Sequence, residues 1–521
     1  MRRSVGLAVV VAGFVAVVAV AGGPLNGQER VAGIAGQFVA GPGIRVFGVG
    51  PDEGLRLRSV SDDGAGVQHV RFDSTFRGVR VFGGEAIVHV GPNGKVLGVT
   101  HQHRRALGDP RPTVGEPEAV GVAWADLAPA AAPSHAPTAE LVFFPFEGSY
   151  RLAWLIDAFV EDGIDDPRAR VYVIDAHSAV IITSWDNLQI YTPGTGTAKV
   201  GIAKPLYLAA NPATLPINTE QYTDGKYGMV DRVYFNCYTT DMLNKRSGTG
   251  TLFADADNVW GNYLTSDRAT AGTDAHLGMT YTLAYFKNVH GRNGLYNDSK
   301  GVYSRVHYGR SYNNAFWSAS CKCMTYGDGD GSVFSPLVSL DVAAHEMSHG
   351  VCSATANLVY SGESGGLNES NSDIFGAAVE FYAASAKDVG DWWIGEMIYT
   401  PATAGDALRY MDTPKRDGRS IDHYSLYTST MDVHYSSGLA NNWFYLLANG
   451  GTNQTSGIAV TGIGISDAQR IWYVALTGYM TSTTTFAQAR TATVNAATQL
   501  FGSTSNQVQR VKDAWTAVGV N

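Results

Sequence analysis

The run His345-Glu346-Met347-Ser348-His349 constrains this 521-residue chain more than any other stretch. Written on a helix, four residues advance the chain by about 400°, so the two imidazoles fall one turn apart on one face with the Glu346 carboxylate beside them. Two such nitrogens suit a tetrahedral zinc ion. That ion lowers the pKa of bound water to about 7, and the neighbouring carboxylate is placed to take the proton. An isolated match is also compatible with two helix-surface histidines beside an incidental glutamate, so the flanking sequence has to decide.

A catalytic zinc needs a third protein ligand and one open position. Thr355 stands where the HExxHxxGxxH pattern requires histidine, which excludes that arrangement. Downstream, residues 362–369 read as a glycine-rich loop leading into a helix over residues 370–381. Glu369 is the natural third ligand. Asp373 follows it by one turn, which suits a carboxylate that accepts the spare N–H of a ligating histidine and fixes its tautomer.

At this point HEMSH followed by GGLNESNSDIFG resembles the thermolysin family of secreted neutral metalloproteases. NNAFW at 313–317, YGDGDG at 326–331, DHYS at 422–425 and DVHYSSG at 432–438 resemble family motifs in the family's order. The similarity runs from about residue 195 to the ending VKDAWTAVGV at 511–520. The resemblance implies that His345, His349 and Glu369 bind zinc, that Glu346 is the general base, and that Asp373 orients His345, with Asn368 as a further supporting residue. Tyr360 and His434 match the groups that stabilise the oxyanion, and Asp432 the carboxylate that orients His434. Taken singly, such a tyrosine or histidine is ordinarily a packed or surface residue.

Asn314 and Ala315 match the strand that aligns the peptide, and Arg409 the arginine that holds a substrate carbonyl. Phe334, Leu337, Val342 and Leu408 match the pocket for the residue after the scissile bond. That pocket reads as apolar, so the expected cuts lie on the amino side of Leu, Phe, Ile or Val, with burial of that side chain contributing about 1.5–3 kcal/mol. Asp341, Glu380, Asp391 and Glu396 match calcium ligands through carboxylates, and Trp393 through its backbone carbonyl. Asp255 and Asp257 resemble a second calcium loop, although an acidic pair is usually a solvated turn. Val389 stands where some members place a polar ligand, which counts against a double calcium centre.

The implied architecture is α+β, a two-domain thermolysin-like protease preceded by an α+β propeptide. The protease divides into a strand-rich half over 195–340 and a helical half over 341–521, with the cleft between them. Composition shifts near the first boundary, since Lys95 is the only lysine before Lys199 and no cysteine precedes Cys237. Residues 70–90 alternate apolar and polar around glycine turns, which predicts antiparallel hairpins. The region 22–110 is similar to the family's hairpin module (FTP-like). Residues 111–194 resemble the second propeptide module (PepSY-like), with a helix over 119–127 and strands over 150–159 and 169–182. The resemblance implies that this propeptide acts as intramolecular chaperone and inhibitor. Serine or threonine caps before apolar residues at helical spacing predict late helices over 466–477, 485–500 and 505–517.

Met1-Arg2-Arg3, the apolar stretch 5–20 and the exit Ala19-Val20-Ala21 read as a signal peptide over 1–21, so the expected location is extracellular. An uncleaved anchor is the alternative, but the stretch is marginal against the roughly 17–25 residues a span needs. Cys237, Cys321, Cys323 and Cys352 are an even number in an exported chain, compatible with two disulfides. A bridge between Cys321 and Cys323 would be strained, which predicts a distant partner for each. Net charge is −9 with no basic stripe, which excludes a nucleic-acid partner and leaves protein or peptide substrates for an expected monomer. A catalytically dead binding scaffold would have no need to keep ligands, base and oxyanion partners together. A serine hydrolase would need a Gly-x-Ser-x-Gly elbow with suitable partners, and none stands out.

Overall fold

The computed structural model describes residues 27–102, 108–130, 135–190, 217–222, 224–385 and 388–521. The expected signal peptide and the boundary near residue 195 lie outside these residues. Alternating side chains build the first unit. Strands Glu53–Asp62, Gln68–Phe76, Val79–Val90 and Val96–Gln102 pair antiparallel in chain order, and Phe72, Val88 and Val90 pack beneath helix Gly27–Phe38 through Val31 and Ala35. Strands Thr138–Phe146, Ser149–Val160, Arg168–Asp175 and Ile181–Asp186 make a second antiparallel set covered by helix Glu116–Leu127.

Both sets belong to one eight-stranded sheet, because Val79–Val90 and Thr138–Phe146 pair in parallel at Arg80↔Val142 and Val81↔Phe143. The single strand expected over 169–182 is two. Asp175 accepts the backbone N–H groups of His177 and Ser178 at 2.9 and 3.0 Å and turns the chain before Ala179, whose φ is 59°.

The unit then runs directly onto the next one. Gln189–Ile190 pairs antiparallel with Phe316 and Trp317, becoming the edge of a seven-stranded sheet ordered Val230–Asp231, Cys237–Asp241, Tyr303–Val306, Cys323–Tyr326, Ala315–Ser318, Gln189–Ile190, with Thr251–Leu252 on Cys237–Asp241. This half is strand-rich as expected, yet it also holds the 23-residue helix Arg268–His290. Asp267 caps its first turn by accepting the Ala269 N–H, and Gly291 ends it at φ 68°.

From Leu340 onward the chain is helical, with Leu340–Ser353, Gly362–Ala383, Gly438–Ala448, Ile465–Val474, Phe486–Phe501 and Asn506–Ala517 around a core that buries Trp443, Trp472 and Trp515. Two expectations change here. Residues 362–369 are the first turns of a helix and not a loop, because Gly365 and Gly366 are packing glycines: a Cβ there would overlap the side chains of Val433 and Ser436. The helix expected over 466–477 stops at Val474 and continues as a π-turn over Ala475–Tyr479.

The cysteine pairing also differs from expectation. Cys321 and Cys323 are bridged to each other, while Cys237 and Cys352 are free and buried. Pairing of Ser318 with Cys323 makes residues 319–322 a hairpin turn. Lys322 takes a left-handed φ of 53°, and the two cysteine Cα atoms come within 5.3 Å, inside the bonding range.

Helix Arg268–His290 crosses the HExxH helix where Gly278 meets Ala343; a Cβ at Gly278 would lie 2.5 Å from the Ala343 Cβ. Gly278→Ala therefore sets a helix-propensity gain of up to about 1 kcal/mol against an overpacking cost of about 1–3 kcal/mol. We expect net destabilisation, visible as a lower denaturant midpoint; an unchanged or higher midpoint would contradict the close crossing.

Candidate active site and metal centre

Helix Leu340–Ser353 places His345 and His349 one turn apart, and helix Gly362–Ala383 brings Glu369 against them. All three are completely buried. The His345 Nδ1–H donates to Asp373 Oδ1 at 2.8 Å, and the His349 Nδ1–H donates to Asn368 Oδ1 at 2.9 Å. Asn368 is itself fixed by its Nδ2–H donating to Leu358 O at 2.9 Å. Both rings therefore turn an Nε2 lone pair toward the same point.

Those lone pairs are 3.2 Å apart, and Glu369 lies 3.5 Å from His345 Nε2 and 3.4 Å from His349 Nε2. A tetrahedron of ligands at about 2.0–2.2 Å has edges of about 3.3–3.6 Å, so this triangle has the size of one face of a zinc site. Three acceptor atoms crowded together without a proton need a cation, and Glu369 Oε2 has no hydrogen-bond partner. The donor set thus fits zinc. Burial pushes the His349 imidazole down to about 4, which keeps it in the neutral ligating form at neutral pH.

Glu346 lies beside the strand Ala315–Ser318. Neither of its oxygens is held by another side chain, and the Trp317 backbone N–H is the polar group beside it. Burial, reinforced by the charge of Glu369, pushes its carboxyl well above the usual range, the condition of a group that takes up a proton readily. On the other side of the triangle the Tyr360 hydroxyl donates to Glu369 Oε1 and lies 3.1 Å from His434 Nε2, which is 3.7 Å from the same carboxylate. Asp432 caps the short helix Val433–Ser436 by accepting the His434 backbone N–H at 2.9 Å, and it accepts His434 Nδ1–H at 2.7 Å. Burial works against charge on His434, but Glu369 and Asp432 outweigh it and raise its pKa.

Asp373 is the most heavily held carboxylate of the centre. Besides His345 it accepts Arg409 Nε–H at 2.8 Å, Arg409 Nη2–H at 2.6 Å and Asn441 Nδ2–H at 2.8 Å. Burial opposes its charge, but Arg409 and His345 hold its pKa far below the usual range. Arg409, matched in sequence to a substrate contact, is here buried against Asp373. Asn441 was not singled out by the sequence; the signal for it is its place two turns beyond His434, on the helix that follows the Asp432 cap.

Phe334, Leu337, Val342 and Leu408 are buried together in the main core, and the Phe334 ring packs tilted against Tyr399 at 5.4 Å. Asn314 and Ala315 begin the strand Ala315–Ser318, whose outer edge at Phe316 and Trp317 is occupied by Gln189–Ile190.

A second acidic cluster lies on the far end of the same helices. Glu380, Asp388 and Glu396 bring oxygens within 4.8 Å of one another, and Asp341 accepts the Gly395 N–H. Asp391 caps Trp393 N at 2.7 Å. Burial first, then the neighbouring charges, push Asp388 up to about 7 and Asp391 to about 6, and drive Glu380 and Glu396 well above their usual range. Asp388 is a member that sequence reading missed, while Val389 beside it is exposed. By contrast, Asp255 accepts the Asp257 and Asn258 N–H groups at 2.8 Å each, a turn cap rather than part of any ligand group among the described residues.

The family description "Thermolysin metallopeptidase, catalytic domain" matches residues 208–353, and "Thermolysin metallopeptidase, alpha-helical domain" matches residues 356–520. The chain belongs to the thermolysin family. Residues 53–102 match the "Fungalysin/Thermolysin Propeptide Motif". A thermolysin of Alicyclobacillus acidocaldarius subsp. acidocaldarius is 37% identical over 496 residues, covering 90% of this chain and 86% of that one. A bacillolysin of Bacillus caldolyticus is 40% identical over 398 residues, 73% of this chain and 69% of its own length. The transglutaminase-activating metalloprotease of Streptomyces mobaraensis is 41% identical over 493 residues, 91% of this chain, and the match spans 62% of that relative's length. As a thermolysin-family member the chain is a metalloendopeptidase.

Removing one partner of a buried ion pair leaves a buried charge and costs about 3–5 kcal/mol. Arg409→Met, which keeps the apolar stem, should lower the unfolding free energy by about that amount through Asp373. Denaturant melts of the zinc-loaded and chelated protein would read it; a loss under about 1 kcal/mol would show that Asp373 does not depend on Arg409.

Proposed function

We propose that this metalloendopeptidase is a secreted zinc enzyme made as a self-processed zymogen, cutting peptide bonds on the amino side of large apolar residues. The observation that carries this reading is the buried triangle of His345, His349 and Glu369 with Glu346 unheld at its edge. Zinc held there supplies a Lewis acid that lowers the pKa of water and polarises a carbonyl. Glu346 takes the proton of the attacking water and passes it to the leaving amine. Tyr360 and His434 donate to the oxygen on which charge develops, and Asp432 holds His434 in its donating tautomer. Asp373 and Asn368 fix the two ligand rings, while Arg409 and Asn441 hold Asp373. Phe334, Leu337, Val342 and Leu408 supply the apolar surroundings for the side chain that sets specificity.

Calcium at Asp341, Glu380, Asp388, Asp391 and Glu396, with the Trp393 carbonyl, would relieve a crowd of carboxylates whose raised pKa values mark an unmet need for positive charge. The propeptide motif and the Gln189–Ile190 strand on Ala315–Ser318 support a reading of residues 22–194 as intramolecular chaperone and inhibitor, lying on the strand that would align substrate. No helix among the described residues is long and apolar enough to cross a membrane.

Glu346→Gln should retain stoichiometric zinc and lose activity by about 10²–10⁴-fold, with unprocessed full-length chain accumulating. Retained proteolysis would remove Glu346 from the mechanism. Tyr360→Phe should lower kcat by about 10–10²-fold with little change in KM; a pure KM effect would assign Tyr360 to binding. For the second cluster, Asp388→Asn should raise the calcium concentration needed for half-maximal thermal protection, and an unchanged calcium midpoint would place Asp388 outside the site.

A further inference from the structure

The N-terminal unit meets both halves of the protease, and a cavity of about 740 Å³ between them is lined by Arg58, Glu85, Trp317, Leu358 and Ser482 among others. On the helical side, the contact is made by polar groups that are almost entirely buried. The Arg71 guanidinium enters the carbonyl end of the π-turn, donating to Met480 O and Thr477 O at 2.7 Å each and to Leu476 O at 3.2 Å. Ser61 Oγ–H donates to Thr477 O at 3.2 Å, and Glu85 accepts the Ser482 hydroxyl at 2.5 Å. Beside Arg71, the rings of His69 and His89 sit against the Gly478–Tyr479 segment. The Tyr479 ring packs tilted against His89 at 4.8 Å, and a Cβ at Gly478 would lie 2.6 Å from the His69 ring.

The two histidines share one hydrogen bond, His69 Nδ1 to His89 Nδ1, at 2.7 Å. His69 Nε2 lies 3.1 Å from Asp63 Oδ2, and His89 Nε2 lies 2.9 Å from Thr100 Oγ1. Asp63 also accepts the Gln499 amide, and Gln499 accepts the Tyr479 hydroxyl at 2.8 Å. The groups facing the pair are therefore Asp63, Thr100 and the Arg71 cation from its own strands, and Gly478, Tyr479 and Gln499 from the protease. One nitrogen of the shared bond must be bare, so at most one of the two rings can be a cation. A second proton would set N–H against N–H at 2.7 Å between two buried rings.

We propose that residues 476–484 with Gln499 form a proton-gated docking surface for the hairpin that carries His69, Arg71 and His89, a surface that holds the inhibitory unit at neutral pH and releases it on acidification. The inference rests on the reading of residues 53–102 as propeptide. Its sign follows from linkage. Docked, burial and the neighbouring His69 and Arg71 charges push His89 down to about 3; undocked, it returns toward the ordinary value of about 6.5. The docked state binds fewer protons, so its stability is complete above about pH 6.5 and falls about tenfold per pH unit below it. Asp63 and Glu85 have lowered pKa values and stay charged across this window.

The test uses the full chain carrying Glu346→Gln, loaded with zinc and calcium, and follows hydrogen exchange of the backbone amides of residues 68–90 and 476–484 from pH 7 to pH 5, corrected for intrinsic rates. The open population should rise about tenfold per pH unit below about pH 6, and His89→Asn, whose amide can donate to His69 but not titrate, should flatten that slope. The same slope in His89→Asn, or no slope with both histidines present, overturns the proposal. If His89→Asn does not fold, His69→Asn serves the same purpose, and a flat profile in the parent chain still decides against it. Self-cleavage by the Glu346→Gln chain would refute the role of Glu346 and leave the exchange slope readable.

Discussion

Three carboxylates with no solvent exposure, Glu346, Glu369 and Asp373, are the constraint around which the protease is arranged. An ionised carboxylate in a dry interior is untenable unless it is paired, and each of the three is treated differently. Asp373 is saturated by Arg409, Asn441 and His345. Glu369 is shared among His345, His349, His434 and Tyr360, and still has one oxygen that calls for a metal. Glu346 is left without a side-chain partner, which is the state a proton acceptor requires. The close approach that makes this possible is set by small residues. Gly278 seats one helix against the HExxH helix, and Gly365 and Gly366 let Val433 and Ser436 press against the helix that carries Glu369.

The N-terminal unit is built into this arrangement. Its last described strand extends the catalytic sheet on the strand Ala315–Ser318, while its hairpins fasten to the π-turn on the helical half. Both halves of the protease are thus held by one N-terminal unit, which fits a segment that orders the halves as they fold and covers the cleft afterwards. The polar character of the second contact matters, because an apolar interface of the same size would have no means of responding to pH.

Much of the centre was legible because its chemistry is local. HExxH sets two imidazoles one turn apart by helical spacing, and Glu369 with Asp373 repeats the one-turn interval on the next helix. What the sequence hid came from tertiary packing. Gly365 and Gly366 read as a loop because glycine usually marks one, whereas here each makes room for a neighbouring side chain. A bridge between Cys321 and Cys323 read as strained because a turn at Lys322 with positive φ is not visible in Cys-Lys-Cys. Asp388 and Asn441 are a single acid and a single amide with no motif of their own, and only the fold brings them to Glu380 and to Asp373. Arg71, His69 and His89 read as ordinary members of an alternating strand, and their partners lie some 400 residues away.

The most direct measurement is metal analysis of the protein combined with mapping of its cuts in casein, with and without a zinc chelator. One zinc per chain, with chelator-sensitive cuts before Leu, Phe, Ile or Val, is the predicted result. Absence of bound zinc from an active enzyme, or cuts that survive its complete removal, would contradict the account.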